Sequence, residues 1–403
     1  MTPRDVSDRL LVLSVVLLQN GVAGAKAKLP LSKETYKTVA MVGPNANATM
    51  NLLSGYAWTP GWSPGAPLLV SPLTAMRAKW GASAVSYAVG CNVSDVDNTG
   101  IKRGNATKSI TAAEQTAKAA DVIILGLGLC GDNYGGGPPK EDSTCFKINE
   151  AESTDRSSLS LPGSQMKLFR TLLALGKPLV VFVMNAGPLD LAEIKASGVP
   201  IIAAGYGGEY GGQATADVIS GAYNPGGATT VTWYPEAFVN TSSFHDMGMR
   251  PNASTGNPGR TYKFLDEAKV APVFRFGYGV SYTSFTISLI QGPAASLEPG
   301  ETSEFLVKVE NTGPVAGDVA VICYVRATKQ DVVAVPPLRS VFDFYRVEEL
   351  APAKSTLVSL TLTPRGRSLV TEAGEWVTPA GEYEVVCEAG GVAKTVPAAF
   401  TVD

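Results

Sequence analysis

The densest chemistry in the chain lies at 149–165, NEAESTDRSSLSLPGSQ. Glu150, Glu152 and Asp155 crowd together there, with Arg156 immediately after them. Carboxyl groups so close can do acid/base work, because neighbouring negative charge favours the protonated form of one of them. The competing reading is a solvated loop in which Asp155 and Arg156 form a structural pair.

The elements that must position this loop can be read on either side of it. Pro162 suits a first helical position, since its missing N–H would have no partner there. Met166, Phe169, Leu172 and Leu173 recur at helical spacing, and Gly176 can close the helix. Residues 37–43, 84–88, 121–127, 178–184 and 200–204 read as apolar strands. Helices are predicted from Ser71-Pro72 to Trp80 with a stop at Gly81, over 111–120, and near 190–196 and 213–220. Strands without alternation, separated by helices, imply a parallel sheet covered on both faces, an α/β doubly wound sandwich. Ligands of such sheets bind beyond the carboxyl ends of the strands. The 150–156 loop follows one such end, and Asn185 and Glu209 start loops on the same edge.

From about Thr283 the pattern becomes short alternating strands, at 304–309, 320–325, 356–361 and 382–387, with turn signals between them. That spacing predicts a β-sandwich. The expected organisation is an N-terminal segment at 1–30, an α/β sandwich at 31–240, a connecting wrap at 241–282 and a β-sandwich at 283–403.

Composition removes several function classes. A net charge of −3 with 17% charged residues leaves no basic patch for nucleic acid. No apolar run approaches the roughly 20 residues that span a bilayer. A single histidine, His245, argues against a histidine-rich metal site, and no CxxC pair is present for a zinc ribbon. No metal or cofactor is expected. Gly126-x-Gly128-x-x-Gly131 matches a dinucleotide fingerprint and follows a strand, but the DNYGGGPPKEDSTC after it cannot form the required helix.

Of the five cysteines, Cys130 and Cys145 bracket a Gly/Pro-rich loop and can be bridged, as can Cys323 and Cys387. Five N-x-S/T sequons, at Asn47, Asn92, Asn105, Asn240 and Asn252, suit an extracellular or secretory destination. Residues 10–18, LLVLSVVLL, read as a signal peptide or as a piece of an internal helix; Asp5 and Asp8 cancel the positive region a signal needs.

Several blocks together resemble the C-terminal half of glycoside hydrolase family 3, and most nearly its exo-β-xylosidase branch. LPLSKETYKTVAMVGPNAN is similar to the opening of the family's second domain, and NEAESTDRSSLSLPGSQ to its acid/base loop. Tyr223-Asn-Pro-Gly-Gly227 with Thr232-Trp-Tyr-Pro235, Asn257-Pro-Gly-Arg-Thr-Tyr262 and Phe276-Gly-Tyr-Gly-Val-Ser-Tyr282 resemble later blocks, in the family's order. Glu310-Asn-Thr-Gly313 with Gly317-Asp318 resembles the start of its fibronectin type III-like domain. Ala228 departs from the basic residue usual there. Residues 10–20 resemble the segment just after the family's (β/α)₈ barrel, which favours the internal helix; the barrel and its nucleophilic aspartate have no counterpart here.

The resemblance implies a retaining β-xylosidase or β-glucosidase acting on oligosaccharides, with Glu152 as acid/base, Glu150 as second choice, and Asp155 and Arg156 shaping the loop. It also implies a separate barrel as partner. A non-catalytic carbohydrate-binding or accessory protein is the alternative.

Overall fold

The computed structural model describes residues 13–22, 26, 28–53, 69–96, 105–131, 145, 150, 155–241 and 243–403. The chain divides into two compact units, 1–225 and 226–403.

The first unit is built on six strands: β1 (Val16–Gln19), β2 (Val39–Val42), β3 (Val85–Ala88), β4 (Val122–Gly128), β5 (Leu179–Met184) and β6 (Ile201–Ala203), in the order β1-β6-β5-β4-β2-β3. The strands β2 to β6 run parallel, and β1 joins the edge antiparallel to β6. Every residue of β2, β4, β5 and β6 is buried, as continuous apolar runs in a two-sided sheet require. The parallel strands take the doubly wound order whose switch point falls between the first strand and the third, here β2 and β4.

The flanking helices are α1 (Pro72–Trp80), α2 (Ala106–Lys118), α3 (Gln165–Leu173), α4 (Ala192–Ala196) and α5 (Gly211–Ser220). α1 packs on α5, and α2 on α3. Local chemistry sets α1's ends: Ser71 Oγ accepts the Thr74 N–H at 3.1 Å, Pro72 opens the first turn, and Gly81 follows the last. α2 starts likewise, with Asn105 Oδ1 accepting the Lys108 N–H at 3.0 Å.

Two expectations need correction. The apolar run near the start is not a helix over Val16–Gln19 but a strand, because it finds open hydrogen-bonding groups along β6. α3 starts at Gln165 rather than Pro162, which lies in the preceding turn with Gly163 at φ +62°. Its buried stripe is therefore Gln165, Leu168, Phe169 and Leu172, while Met166 and Leu173 are half-buried.

In the second unit, Ser303–Asn311 pairs with Phe285–Gln291 and Ser355–Leu362 in one sheet. Gly317–Lys329 pairs with Ser340–Leu350 and Gly381–Ala389 in another. Phe305, Val307, Val309, Val321, Val358, Leu360, Tyr383 and Val385 form the core between the sheets. Cys323 and Cys387 face each other across neighbouring strands and are bridged. Closing a loop of 64 residues contributes about 4 kcal/mol on chain-entropy grounds. Residues 226–282, which include the expected wrap, group with this unit. Thr229 N–H donates to Tyr278 O at 2.9 Å, Gly279 N–H to Gly390 O at 3.1 Å, and Leu338 N–H to Lys263 O at 2.7 Å. His245 is exposed in this stretch.

Candidate active site

The carboxyl ends of β4, β5 and β6 lie side by side, and the chain segments that leave them converge on Glu150. Buried side-chain amides fix the first segment. Asn45 Nδ2 donates to Leu127 O at 3.0 Å, and Asn51 Nδ2 donates to Asn45 Oδ1 at 2.9 Å and to Leu129 O at 2.7 Å. Asn51 Oδ1 accepts the Gly131 N–H at 3.1 Å. Gln165, fully buried at the start of α3, accepts from Gly128 N–H at 2.9 Å and donates to Gly128 O at 2.8 Å and Val93 O at 3.0 Å. One side chain thus ties the helix after the charged loop to the strand before it. Buried amides left unpaired here would cost 1–3 kcal/mol each, so the network constrains the segment strongly.

Cys130 ends this segment. Its carbonyl accepts the Glu150 N–H at 3.2 Å, and its sulfur is bridged to Cys145, with Cα atoms 5.9 Å apart. Cys91 is the free thiol, buried, its pKa pushed up to about 12 by desolvation and by Asp95.

The Glu150 carboxylate is held from several directions. Oε2 accepts the Ala186 N–H at 2.8 Å and the Tyr206 hydroxyl at 3.0 Å, and Oε1 accepts the Gly187 N–H. Arg156 Nη2 stands 3.6 Å from Oε1 and donates to Pro188 O at 2.9 Å. With side-chain exposures of 15% for Glu150 and 16% for Arg156, the pair is shielded but not sealed from water. Hydrogen bonds to an ionised carboxylate are about twice as strong as neutral ones. Three donors thus use Glu150 as an acceptor, the arrangement of an anchored carboxylate.

Glu152 lies outside the described residues. Asp155 is exposed, and Arg156 turns inward to Glu150 and Pro188 O. Asn185 is buried and donates to Gly187 O at 2.7 Å, which stiffens the turn that supplies two of Glu150's donors. Glu209 sits in the short turn before α5 and makes no described contact with Glu150. Sequence reasoning missed Tyr206, Gln165, Asn45 and Asn51. Tyr206 follows β6 on the carboxyl edge, where the strand-end rule could have flagged it.

Burial, and next the Glu150 charge and hydrogen bond, push the Tyr206 hydroxyl far above the ordinary value of 10.0. The folded state therefore keeps a proton that the unfolded chain releases above that value. Stability from this group is complete below pH ~10 and declines as pH rises, by about 1.4 kcal/mol per unit. Tyr206→Phe should lower stability by about 2 kcal/mol at neutral pH, for the lost bond to a charged acceptor. It should also make the decline above pH 10 shallower. Urea unfolding from pH 7 to 11 measures both, and an unchanged alkaline slope would contradict the assignment.

Residues 15–282 match the glycosyl hydrolase family 3 C-terminal domain, and residues 319–390 match a fibronectin type III-like domain. The chain is 33% identical over 392 residues to an exo-1,4-beta-xylosidase, xlnD, of Emericella nidulans, covering 93% of this chain and 43% of the relative. It is 36% identical over 282 residues to beta-xylosidase/alpha-L-arabinofuranosidase 2 of Medicago sativa subsp. varia, covering 69% of this chain and 31% of that protein. Among solved structures, a GH3 exo-beta-xylosidase (XlnD) in complex with a xylobiose aziridine probe superposes with a TM-score of 0.82 at 31% identity, over 99% of this chain and 48% of that one. A b-glucosidase from Erythrobacter marinus superposes with a TM-score of 0.77 at 27% identity, over 99% of this chain and 50% of that one. The chain thus spans less than half the length of the curated relatives it matches.

Proposed function

The chain belongs to glycosyl hydrolase family 3, and on that premise we propose that it carries the acid/base portion of a retaining β-glycosidase of β-xylosidase type. Its substrates are xylo- or gluco-oligosaccharides, cleaved at O-glycosyl bonds. Glu152 is the acid/base. The observation that supports this choice is the hold on Glu150 by donors from Ala186, Gly187 and Tyr206, which gives that carboxylate an anchoring role. The proton exchange is then assigned to Glu152.

The flanking anchors give the loop a role. Glu150 is pinned to the turn after β5, and Arg156 to Pro188 O in the same turn. Glu152 lies between these two residues in sequence, and misplacement of a catalytic group by about 1 Å can cost 10²-fold in rate. Asp155 and Arg156 shape the loop.

A retaining mechanism also needs a nucleophilic carboxylate on the opposite face of the sugar, about 5–5.5 Å from the acid/base. A separate (β/α)₈ barrel is the partner that supplies it. The test assays nitrophenyl xyloside and glucoside with the purified chain, alone and with an added barrel domain. No turnover is expected alone, and turnover is expected with the barrel. Sustained hydrolysis by the chain alone would overturn the acid/base-only reading.

A further inference from the structure

The second unit contains a cavity of about 370 Å³ that the glycosidase reading does not use. Its volume falls in the range of about 300–1,000 Å³ typical of small-ligand sites. Tyr262 and Phe276, stacked with ring centroids 4.4 Å apart and planes 20° from parallel, line it together with buried Phe264. Charged groups line it too: Asp266, Glu267, Arg275 and Arg339. Each has an opposite charge beside it, which for Asp266 is Lys269, with Nζ 3.7 Å from Oδ2. Arg275 Nε donates to both Glu267 oxygens at 3.0 Å and Nη2 to one of them at 2.5 Å, while Arg339 Nη1 donates to Glu388 Oε1 at 3.0 Å.

These features select a ligand class. Two carboxylates against two guanidiniums leave no net charge on the lining, so an ionic ligand gains little over water. Flat aromatic surface asks for a ligand with an apolar face. Fixed donors and acceptors together ask for hydroxyls, which can serve as both. A pyranose ring has that make-up, with axial C–H groups on its faces and hydroxyls around its edge. The walls are already tied, by Leu338 N–H to Lys263 O and by the Trp233–Phe274 bridge, so binding orders little additional chain. We propose that residues 226–403 hold a saccharide-binding site in this cavity, with the pyranose packed against the aromatic wall of Tyr262, Phe276 and Phe264 and its hydroxyls on Glu267 and Arg275.

The site stands on the cavity alone and is independent of the role given to Glu152. Saturation-transfer NMR on the full chain with xylobiose tests it, with catechol as a flat, uncharged control. Transfer to the sugar's ring C–H protons is expected. Glu267→Gln, which keeps size and can still accept from Arg275, should weaken binding about tenfold, the loss expected for a hydrogen bond to a charged group. Tyr262→Ala should weaken it further; if that variant fails to fold, Glu267→Gln decides. Absence of transfer overturns the proposal, as does binding of catechol without xylobiose. Transfer that survives Glu267→Gln but vanishes in Glu152→Gln would place the sugar on the acid/base loop and overturn it as well.

Discussion

With a barrel supplied, Glu152→Gln should slow cleavage of alkyl xylosides by about 10²–10⁴-fold, the usual contribution of general acid catalysis. Activated nitrophenyl xylosides should lose far less in the glycosylation step, because a good leaving group departs with little protonation. The alkaline limb of the pH–rate profile, which reports the acid's own deprotonation, should disappear in the variant. Glu150→Gln should behave differently. A glutamine there must aim its NH₂ group at one of the donors on Ala186, Gly187 or Tyr206, so donor meets donor. The expected result is lost stability and a uniform loss of rate, with no dependence on leaving group. Measuring kcat/KM for both variants against a series of aryl and alkyl xylosides separates the roles. A leaving-group effect that followed Glu150 would reverse the assignment.

Much of the scaffold that supports this loop could be read from residues in order, for physical reasons that differ by element. α1 was legible at both ends because Ser71, Pro72 and Gly81 act locally. Strands β2, β4 and β5 were legible because burial on both faces leaves an unbroken apolar run. β1 was not, since its conformation depends on pairing with Ile201–Ala203, far along the chain. Ser340–Leu350 was also missed: Phe344 and Tyr345 are 72% and 53% exposed, so alternation fails in mid-strand. The start of α3 shifted because a polar residue, Gln165, belongs to its buried face. At the site, Glu150 could be named as a candidate from its neighbours in sequence. Its use as an acceptor could not, because two of its donors are backbone N–H groups and the third comes from Tyr206 beyond another strand. Residue types record carboxylates but not the direction of a distant peptide N–H.

That dependence on backbone makes Gly187→Ala the sharpest test of the anchor. A Cβ at position 187 would stand 2.8 Å from Glu150 Oε1 and 2.8 Å from Arg156 Nη2, closer than real Cβ contacts. Both atoms are the far ends of flexible side chains, so they can retreat by a few tenths of an ångström, Glu150 keeping its bond to the Gly187 N–H and Arg156 lengthening its bond to Pro188 O. The glycine's own φ lies outside the left-handed region, so the cost is contact and not backbone strain. Lengthening hydrogen bonds around a partly shielded charge pair, without breaking them, costs about 1 kcal/mol. For a unit of this size the unfolding midpoint should fall by about 2–4 °C. With a barrel present, kcat should fall for nitrophenyl and alkyl xylosides alike, since the loop's placement suffers and not its proton. Adding Glu150→Gln to Gly187→Ala should cost less than the sum of the two changes, because both act on one contact. Fully additive costs would show that the turn after β5 does not hold the loop, and the case for Glu150 as its anchor would fail.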